Sequence, residues 1–477
     1  MSFQQTIAQK NLDISIVELK NLWDGFRFDS EYYLKEYVQL DDLLQKNGGN
    51  VFENYTTFIK KWIFDISPDH YVEQDWVPFI RSWDLKDIFI SSNNEIIQID
   101  KESHQKEIKT ELLKDDILLS KVGTIWDFGL NLRFEKLNLS QNVVGIKIKK
   151  EYKKISWFLV AFLNSKYWRL QINRKISWQV QQKLTLDDVK FLYVPKFSGN
   201  IIEKTDHIIR ESFDIQEQSK SLYKQAEKIL LSEFGLEKYR STENTISIKN
   251  SGEVRIFSRM DAEFFQPKYD EIVEKISKTK TDTLEHITDY KKWVEPWSEA
   301  YTDDKNWVPF VRVSDISING IDRIEKRISP ELAESYKWAY SPKKGEVLIT
   351  KDGTIGISCT ITEDVDSILS WAFLRLQPKI KIEQEYLALV LSSIVCKLQI
   401  ERFSGWAIIE HLKPSDLMQI KIPIVAEPIQ QKIAELVTQS HKARNRSKKL
   451  LEVAKRAVEI FIEEDEKKAM EFINKNI

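Results

Sequence analysis

The chain is poor in the residues that bring ready-made chemistry. Its 477 residues hold two cysteines, Cys359 and Cys396, and six scattered histidines. Neither cysteine has metal-ligand or disulfide-framework spacing, which leaves two reduced thiols as the plain expectation. No H-E-x-x-H helix, no G-x-x-x-x-G-K-S/T phosphate loop and no Asn/Asp-Pro-Pro-aromatic tetrapeptide occurs. Zincin chemistry, P-loop nucleotide binding and adenine methylation by this chain are therefore not expected. No run of about 18 apolar residues occurs, so no membrane span is expected. The N-terminal MSFQQTIAQKNLDISIVELK lacks the apolar core of a secretion signal, and the expected location is the cytoplasm. One-signed charge is missing too. A formal net charge of −2 means that any contact with nucleic acid must use local positive charge.

What the chain does have is apolar and aromatic material: 42% hydrophobic residues, with 14 Trp, 16 Tyr and 24 Phe. That is ample for packed cores, and at roughly 100–200 residues per domain it predicts two to four units.

It also repeats itself. Arg27-Phe28-Asp29-Ser30-Glu31-Tyr32-Tyr33 matches Arg259-Met260-Asp261-Ala262-Glu263-Phe264-Phe265, with Tyr37 and Tyr269 four residues further on. Trp76-Val77-Pro78-Phe79-Ile80-Arg81 matches Trp307-Val308-Pro309-Phe310-Val311-Arg312. The run Leu118 to Ile125 matches Leu348 to Ile355, and Leu170 to Arg174 matches Leu398 to Arg402. Trp178, Leu184, Asp188 and Pro195 then match Trp406, Leu412, Asp416 and Pro423. The offset drifts from 232 to 228 residues, as small loop insertions would cause, and so long a period excludes a short-repeat solenoid.

Each copy reads as mixed α and β. A short helical stretch follows R-x-D-x-E, whose charges cap or pair within the fold on the plain reading. Val347 to Thr350 is an apolar strand, Asp352-Gly353 a tight turn, and Thr354 to Ile357 and Leu369 to Leu374 continue the strand pattern. A helix is predicted from Glu383 to about Glu401, and a last strand from Leu417 to Pro423.

Each copy ends in a long helix, about 200–234 and about 429–472. Small residues recur at matched seam positions: Ser212 with Ser440, Ser219 with Ser447, Ala226 with Ala454. Small seam residues let helices approach closely, and we read the two as an antiparallel pair rather than separate surface helices. Some 35 residues span roughly 50 Å at about 1.5 Å per residue, against roughly 34 Å per turn of B-DNA. Glu463 to Lys468 reads as a solvated helix face.

The run KGEVLITKDGTIG, from Lys344 to Gly356, resembles a signature of the specificity subunits of type I restriction-modification enzymes. So does LKPSDLMQIKIPIVAEPIQQKIAELV, from Leu412 to Val437, and the first copy keeps weaker versions, DDILLSKVGTIWD and LTLDDVKFLYVPKF. The resemblance covers nearly the whole chain. It implies an α+β protein: two pseudo-symmetric mixed α/β target recognition domains separated by two long antiparallel coiled-coil-like helices. The expected divisions are 1–198 and 239–425 for the domains, and 199–238 and 426–477 for the spacer helices. It further implies a non-catalytic subunit whose domains each read half of a bipartite, asymmetric site in double-stranded DNA. The helices would set the gap and dock two methyltransferase subunits, and a motor-nuclease subunit would join. No cofactor is expected in this chain; S-adenosylmethionine, ATP and magnesium would sit in the partners. Two departures stand out: Trp126 replaces Gly356 after the first G-T-I turn, and Asn200 to Lys204 replaces the Q-Q-K-I-A start.

DNA recognition needs cations for phosphates and amides or guanidinium groups for base edges. The candidates are Arg81, Lys121, Thr124, Arg174, Lys175, Trp178, Gln179, Gln181 and Gln182 in the first copy. In the second they are Arg312, Lys351, Thr354, Arg402 and Trp406. The G-T turn would expose Lys121 and Lys351 at a loop tip. The stretch of Lys147, Lys149, Lys150, Lys153, Lys154, Lys166, Arg169, Arg174, Lys175 and Lys183 reads equally as a DNA surface or a solvated face. Two further functions stay open: a protein-interaction scaffold, which the near-zero charge favours, and a standalone nuclease with carboxylates not yet identified.

Overall fold

In a computed structural model, the described residues are 30–46, 48–61, 70–72, 76–86, 88–90, 96–120, 128–176, 185–240, 246–257, 259–291, 301–302, 306–321, 324–404 and 412–477. The fold is α+β, and it divides into two compact units: residues 1–216 with 445–477, and residues 217–444. The division falls within the long helices.

In the first unit, one sheet runs in the order Thr56–Lys61, Val143–Ile148, Ile117–Ser120, Phe128–Leu130, Phe89–Ile90, Leu85–Lys86. A second is centred on Val77–Ile80, which pairs in parallel with Lys136–Leu139. Gly49–Val51 closes antiparallel on Tyr193–Pro195. Ile117 to Ser120 is buried on both faces, which is why it reads as a continuous apolar run rather than an alternating one. The helices Ser156–Leu163 and Lys166–Ile176 cover the sheet, with Trp168 fully buried against Phe52, Phe128 and Phe162.

The second unit uses the same pairings. Val347–Thr350 lies between Ser358–Thr360 and Phe373–Pro378, Val308–Val311 pairs in parallel with Ile368–Leu369, and Thr281–Thr283 closes on Lys421–Pro423. Its covering helices are Gln384–Ser392 and Ile394–Ser404. Both cysteines are buried here and neither forms a disulfide.

The helix expected over 383–401 is broken at Ser393, whose backbone is extended and whose hydroxyl receives the Val395 amide at 3.3 Å. A serine cap offers the backbone an alternative to helix continuation. Ser165 stands at the matching break of the first unit. The residues 354–357 form a turn rather than a strand, and the last strand shortens to Lys421–Pro423 behind a helical turn Pro414–Met418.

The long helices are Gly199–Ser232 and Glu427–Glu463. The second stops short of the expected end. Asp465 caps a new helix, Glu466–Asn476, by accepting the Lys468 amide at 2.9 Å. Nor does Glu463 lie on a solvated face. It takes hydrogen bonds from Tyr167 at 2.9 Å and from Arg456 at 2.8 and 3.0 Å, and Lys166 lies 2.5 Å away. Burial works against its charge, yet Arg456, Lys166 and Tyr167 together bring its pKa down to about 2.

Within the first unit the chain directions of the two long helices are antiparallel: Ser212 faces Ser447, while Asn200, at the start of the first, donates at 2.9 Å to Glu466, just beyond the end of the second. The Ser212 hydroxyl donates to the Ser447 carbonyl at 2.9 Å and the Ser447 hydroxyl to the Ser212 carbonyl at 2.8 Å. Within the second unit Ser219 and Ser440 make the same exchange, both at 2.7 Å. A side chain two heavy atoms long reaches the opposite backbone only if the helices approach closely, so small residues at this seam are a geometric requirement. Ala226 and Ala454 are likewise buried, each in the core of its own unit.

Candidate nucleic-acid interface

Each unit has one edge where loops meet the parallel strand pair. In the second unit it is built around the turn after Val347–Thr350. The Thr350 hydroxyl donates to the Thr354 carbonyl at 2.7 Å and receives the Ile357 amide at 2.9 Å. Gly353 and Gly356 have φ of +71° and +79°, a region that side chains with a Cβ rarely adopt. A Cβ on Gly353 would come within 4.0 Å of Val313, the residue after Arg312. The G-T turn and the W-V-P-F strand end are thus neighbours.

Lys351 is not displayed at the tip. It is 8% exposed, its ammonium lies 4.2 Å over the Trp371 ring, and its carboxylate partner is Asp352. Its carbonyl receives the Leu412 amide at 2.8 Å. Opposite charge and an aromatic face together make burial of a lysine tolerable, and a single-residue reading of the turn does not see them. Thr354 is exposed.

Arg312 and Arg81 play one local role. The Arg81 amide and guanidinium hold Asp84 at 2.8, 3.0 and 3.2 Å, while Arg312 holds Asp315 at 2.9 and 3.4 Å and lies 3.7 Å from Glu325. Each arginine fixes the short 3-10 turn after its strand.

Arg174 and Arg402 also anchor the fold, each with an 11% exposed side chain. Arg174 donates to the Tyr32 carbonyl at 3.0 Å and to Asp41 at 2.6 Å, lying 4.2 Å over the Tyr32 ring. Arg402 binds Asp270 at 3.1 Å and lies 4.5 Å over Phe264. Lys175 lies 5.8 Å over the Tyr32 ring. Of the basic stretch, Lys149 binds the Asn54 carbonyl at 2.7 Å and Lys153 binds Asp116 at 2.5 Å, whereas Lys150 and Lys154 are exposed. Lys121, Thr124, Trp178, Gln179, Gln181, Gln182 and Trp406 lie outside the described residues.

One edge residue was missed in the sequence. Ser370 donates its amide to the Val311 carbonyl at 2.9 Å, and Ser140 donates to Ile80 at 2.9 Å. The residue after each serine is exposed: Trp371, at 42%, in one unit and Gln141 in the other. The shared backbone bond and the parallel strands that frame it were the available signal, and neither is visible without pairing. Among the described residues no group of three His, Cys, Asp or Glu side chains forms a metal cage. A hollow of 230 Å³ is lined by Ser247, Lys249, Val254, Met260, Ala262 and Phe265, and Asp270 holds the Lys249 ammonium at 2.5 Å.

Residues 268–455 match the family model described as the type I restriction modification DNA specificity domain. Among solved structures, the S subunit of a type I restriction-modification system from M. genitalium is 14% identical, with 87% of this chain and 94% of that one covered at a TM-score of 0.38. The HsdS subunit from Thermoanaerobacter tengcongensis is 12% identical, with 87% and 95% covered at a TM-score of 0.28. No curated protein matches the chain. No helix among the described residues is long and apolar enough to cross a membrane. Residues 268–455 are thus similar to the type I restriction modification DNA specificity domain.

Proposed function

We propose that this chain is the non-catalytic DNA specificity subunit of a type I restriction-modification complex, with two target recognition domains in pseudo-symmetric arrangement. The observation that carries the reading is a shared frame with unequal tips. The family match covers one copy, and the other copy repeats its strand pairings and its arginine turn, while Gln141 stands where Trp371 does. A duplicated reader with different tips suits the two unlike halves of an asymmetric site. Each copy reads one half. The long helices set the unspecified gap and dock two methyltransferase subunits, and a motor-nuclease subunit completes the assembly. S-adenosylmethionine, ATP and magnesium belong to those partners.

Footprinting on a DNA library, with the methyltransferase subunit present, tests the reading. Two protected half-sites separated by an unspecified gap are expected, with affinity falling steeply as salt rises. One continuous site, or salt-insensitive binding to proteins alone, would point to a scaffold instead.

A further inference from the structure

One short hairpin in each unit joins the arginine turn to a long helix. In the second unit Arg312 fixes the 3-10 turn Val313–Asp315, and the chain passes straight into Ile316–Ser317, paired antiparallel with Gly320–Ile321. In the first unit the turn Ser82–Asp84 leads likewise into Leu85–Lys86, paired with Phe89–Ile90. Both hairpins reach the helix of their own unit at one matched position. Ser212 aligns with Ser440, so Phe213 aligns with His441. The Phe89 ring meets Phe213 edge-on with 5.3 Å between centroids, and Trp157 meets it at 6.1 Å. Ile88, at the hairpin tip, has a φ of +74°, which is rare for a β-branched residue, yet its side chain is buried in the core that holds Ile208 and Ile209. In the second unit Ile316 and Ile321 pack with Val311 and Leu348, and the tip meets the helix through a polar contact. There the Ile318 backbone accepts a hydrogen bond from the half-buried His441 ring.

A conformation costly for isoleucine persists only where the surrounding packing imposes it. The first hairpin is therefore held on its helix more firmly than closing a turn requires. Six residues separate Arg312 from Ile318, and a 3-10 turn followed by a two-residue hairpin is a stiff connector over that distance. The G-T turn joins the same segment, since Gly353 approaches Val313. We propose that each hairpin is the brace that sets its recognition edge on the long helix, and that Phe213 and His441 are positioning residues, one for each half-site. The inference rests on the reading of the chain as a DNA specificity subunit. Base readout needs donors and acceptors held in place against base edges. An edge that has lost its brace still meets phosphates but tolerates a wrong base, because phosphate contacts carry no sequence information.

The test sequences modified bases in cells that express the full chain with its methyltransferase, as wild type, His441→Ala or Phe213→Ala. Each variant should relax one half of the two-part site and leave the other intact, and the two variants should relax opposite halves. In the relaxed half, modification at sites with one wrong base should rise roughly tenfold, within the range that a single mismatch costs. His441→Asn or His441→Gln returns an amide donor and should restore the tight half, as Phe213→Leu should for the other. Thermal melting checks that the variants fold, and the rescue separates positioning from a general loss of stability. Unchanged discrimination in both alanine variants, or equal relaxation of both halves by either, would overturn the inference and leave the specificity reading intact. Relaxation that neither the amide variants nor Phe213→Leu reverses would overturn it as well. A wild-type map with no gapped site would overturn the specificity reading itself, and the inference with it.

Discussion

The side-chain amide of Gln399 forms two hydrogen bonds with the backbone of Lys421: its Nε2 donates to the Lys421 carbonyl at 2.9 Å, and the Lys421 amide donates to its Oε1 at 2.8 Å. Gln171 makes the same pair with Tyr193, at 3.0 and 2.7 Å. In each unit a helix thereby holds the short last strand that leads into the long helix. Gln399→Leu leaves a backbone donor and acceptor without partners and should cost about 2–4 kcal/mol. Chemical denaturation measures it; a loss below about 0.5 kcal/mol would show that the clamp is dispensable.

Glu346 and Arg375 form a buried two-bond ion pair at 2.6 and 2.8 Å, beneath the strand that leads to the G-T turn. Removing one partner strands a buried charge. Arg375→Met should destabilise the second unit by about 3–5 kcal/mol, and Arg375→Met/Glu346→Leu by less. Thermal unfolding of the two variants should show the double variant the more stable.

At the helix seam, Ser219→Ala should be mild, since the helix backbone keeps its own hydrogen bonds. Ser219→Leu should cost about 1–3 kcal/mol by forcing the helices apart at Ser440. The order of the two melting temperatures is the readout.

Burial holds the His104 pKa below its ordinary value of 6.5, against the pull of Glu111. The histidine is therefore neutral in the fold and protonates more readily when unfolded. Its contribution to stability is full above pH 6.5 and is lost as pH falls below that value. Burial lowers His441 as well, with the same sign. Melting temperatures should drop from pH 7.5 to 5.5, and His104→Gln should flatten part of that slope.

Trp371 should matter for recognition more than for stability, because the residue is 42% exposed. Trp371→Gln, which copies the tip of the other unit, should alter the modified sequence of one half-site and leave the other unchanged. A methylation map with both halves unaltered would remove Trp371 from the reading surface.

The repeat, the mixed α and β character and the small-residue seam were legible in the sequence because each rests on local pattern. Ser212, Ser219, Ser440 and Ser447 were marked by spacing alone, and all four lie in the seam. What spacing did not carry was long-range partnership. Lys351 looked like a loop-tip cation because Trp371 is 20 residues away. Arg174 and Arg402 looked like DNA contacts because Asp41 and Asp270, more than 130 residues upstream, were not visible as partners. Glu463 was assigned to solvent because Lys166 and Tyr167 are nearly 300 residues away. For Lys351, Arg174, Arg402 and Glu463 the burial is completed by contacts distant in sequence, so their residue types alone suggested surface chemistry. The break at Ser393 was legible and missed, since a Ser-Ser pair within a helical pattern is a capping signal.

The central claim is that two readers share a helical ruler, and the gap length tests it most directly. One heptad inserted into each long helix, in matching register, adds about 10 Å to the pair. Sequencing of modified bases in cells that express this variant with its methyltransferase should show both half-sites unchanged and the gap lengthened by about three base pairs. A modified site with an unchanged gap, or a single uninterrupted site, would contradict it.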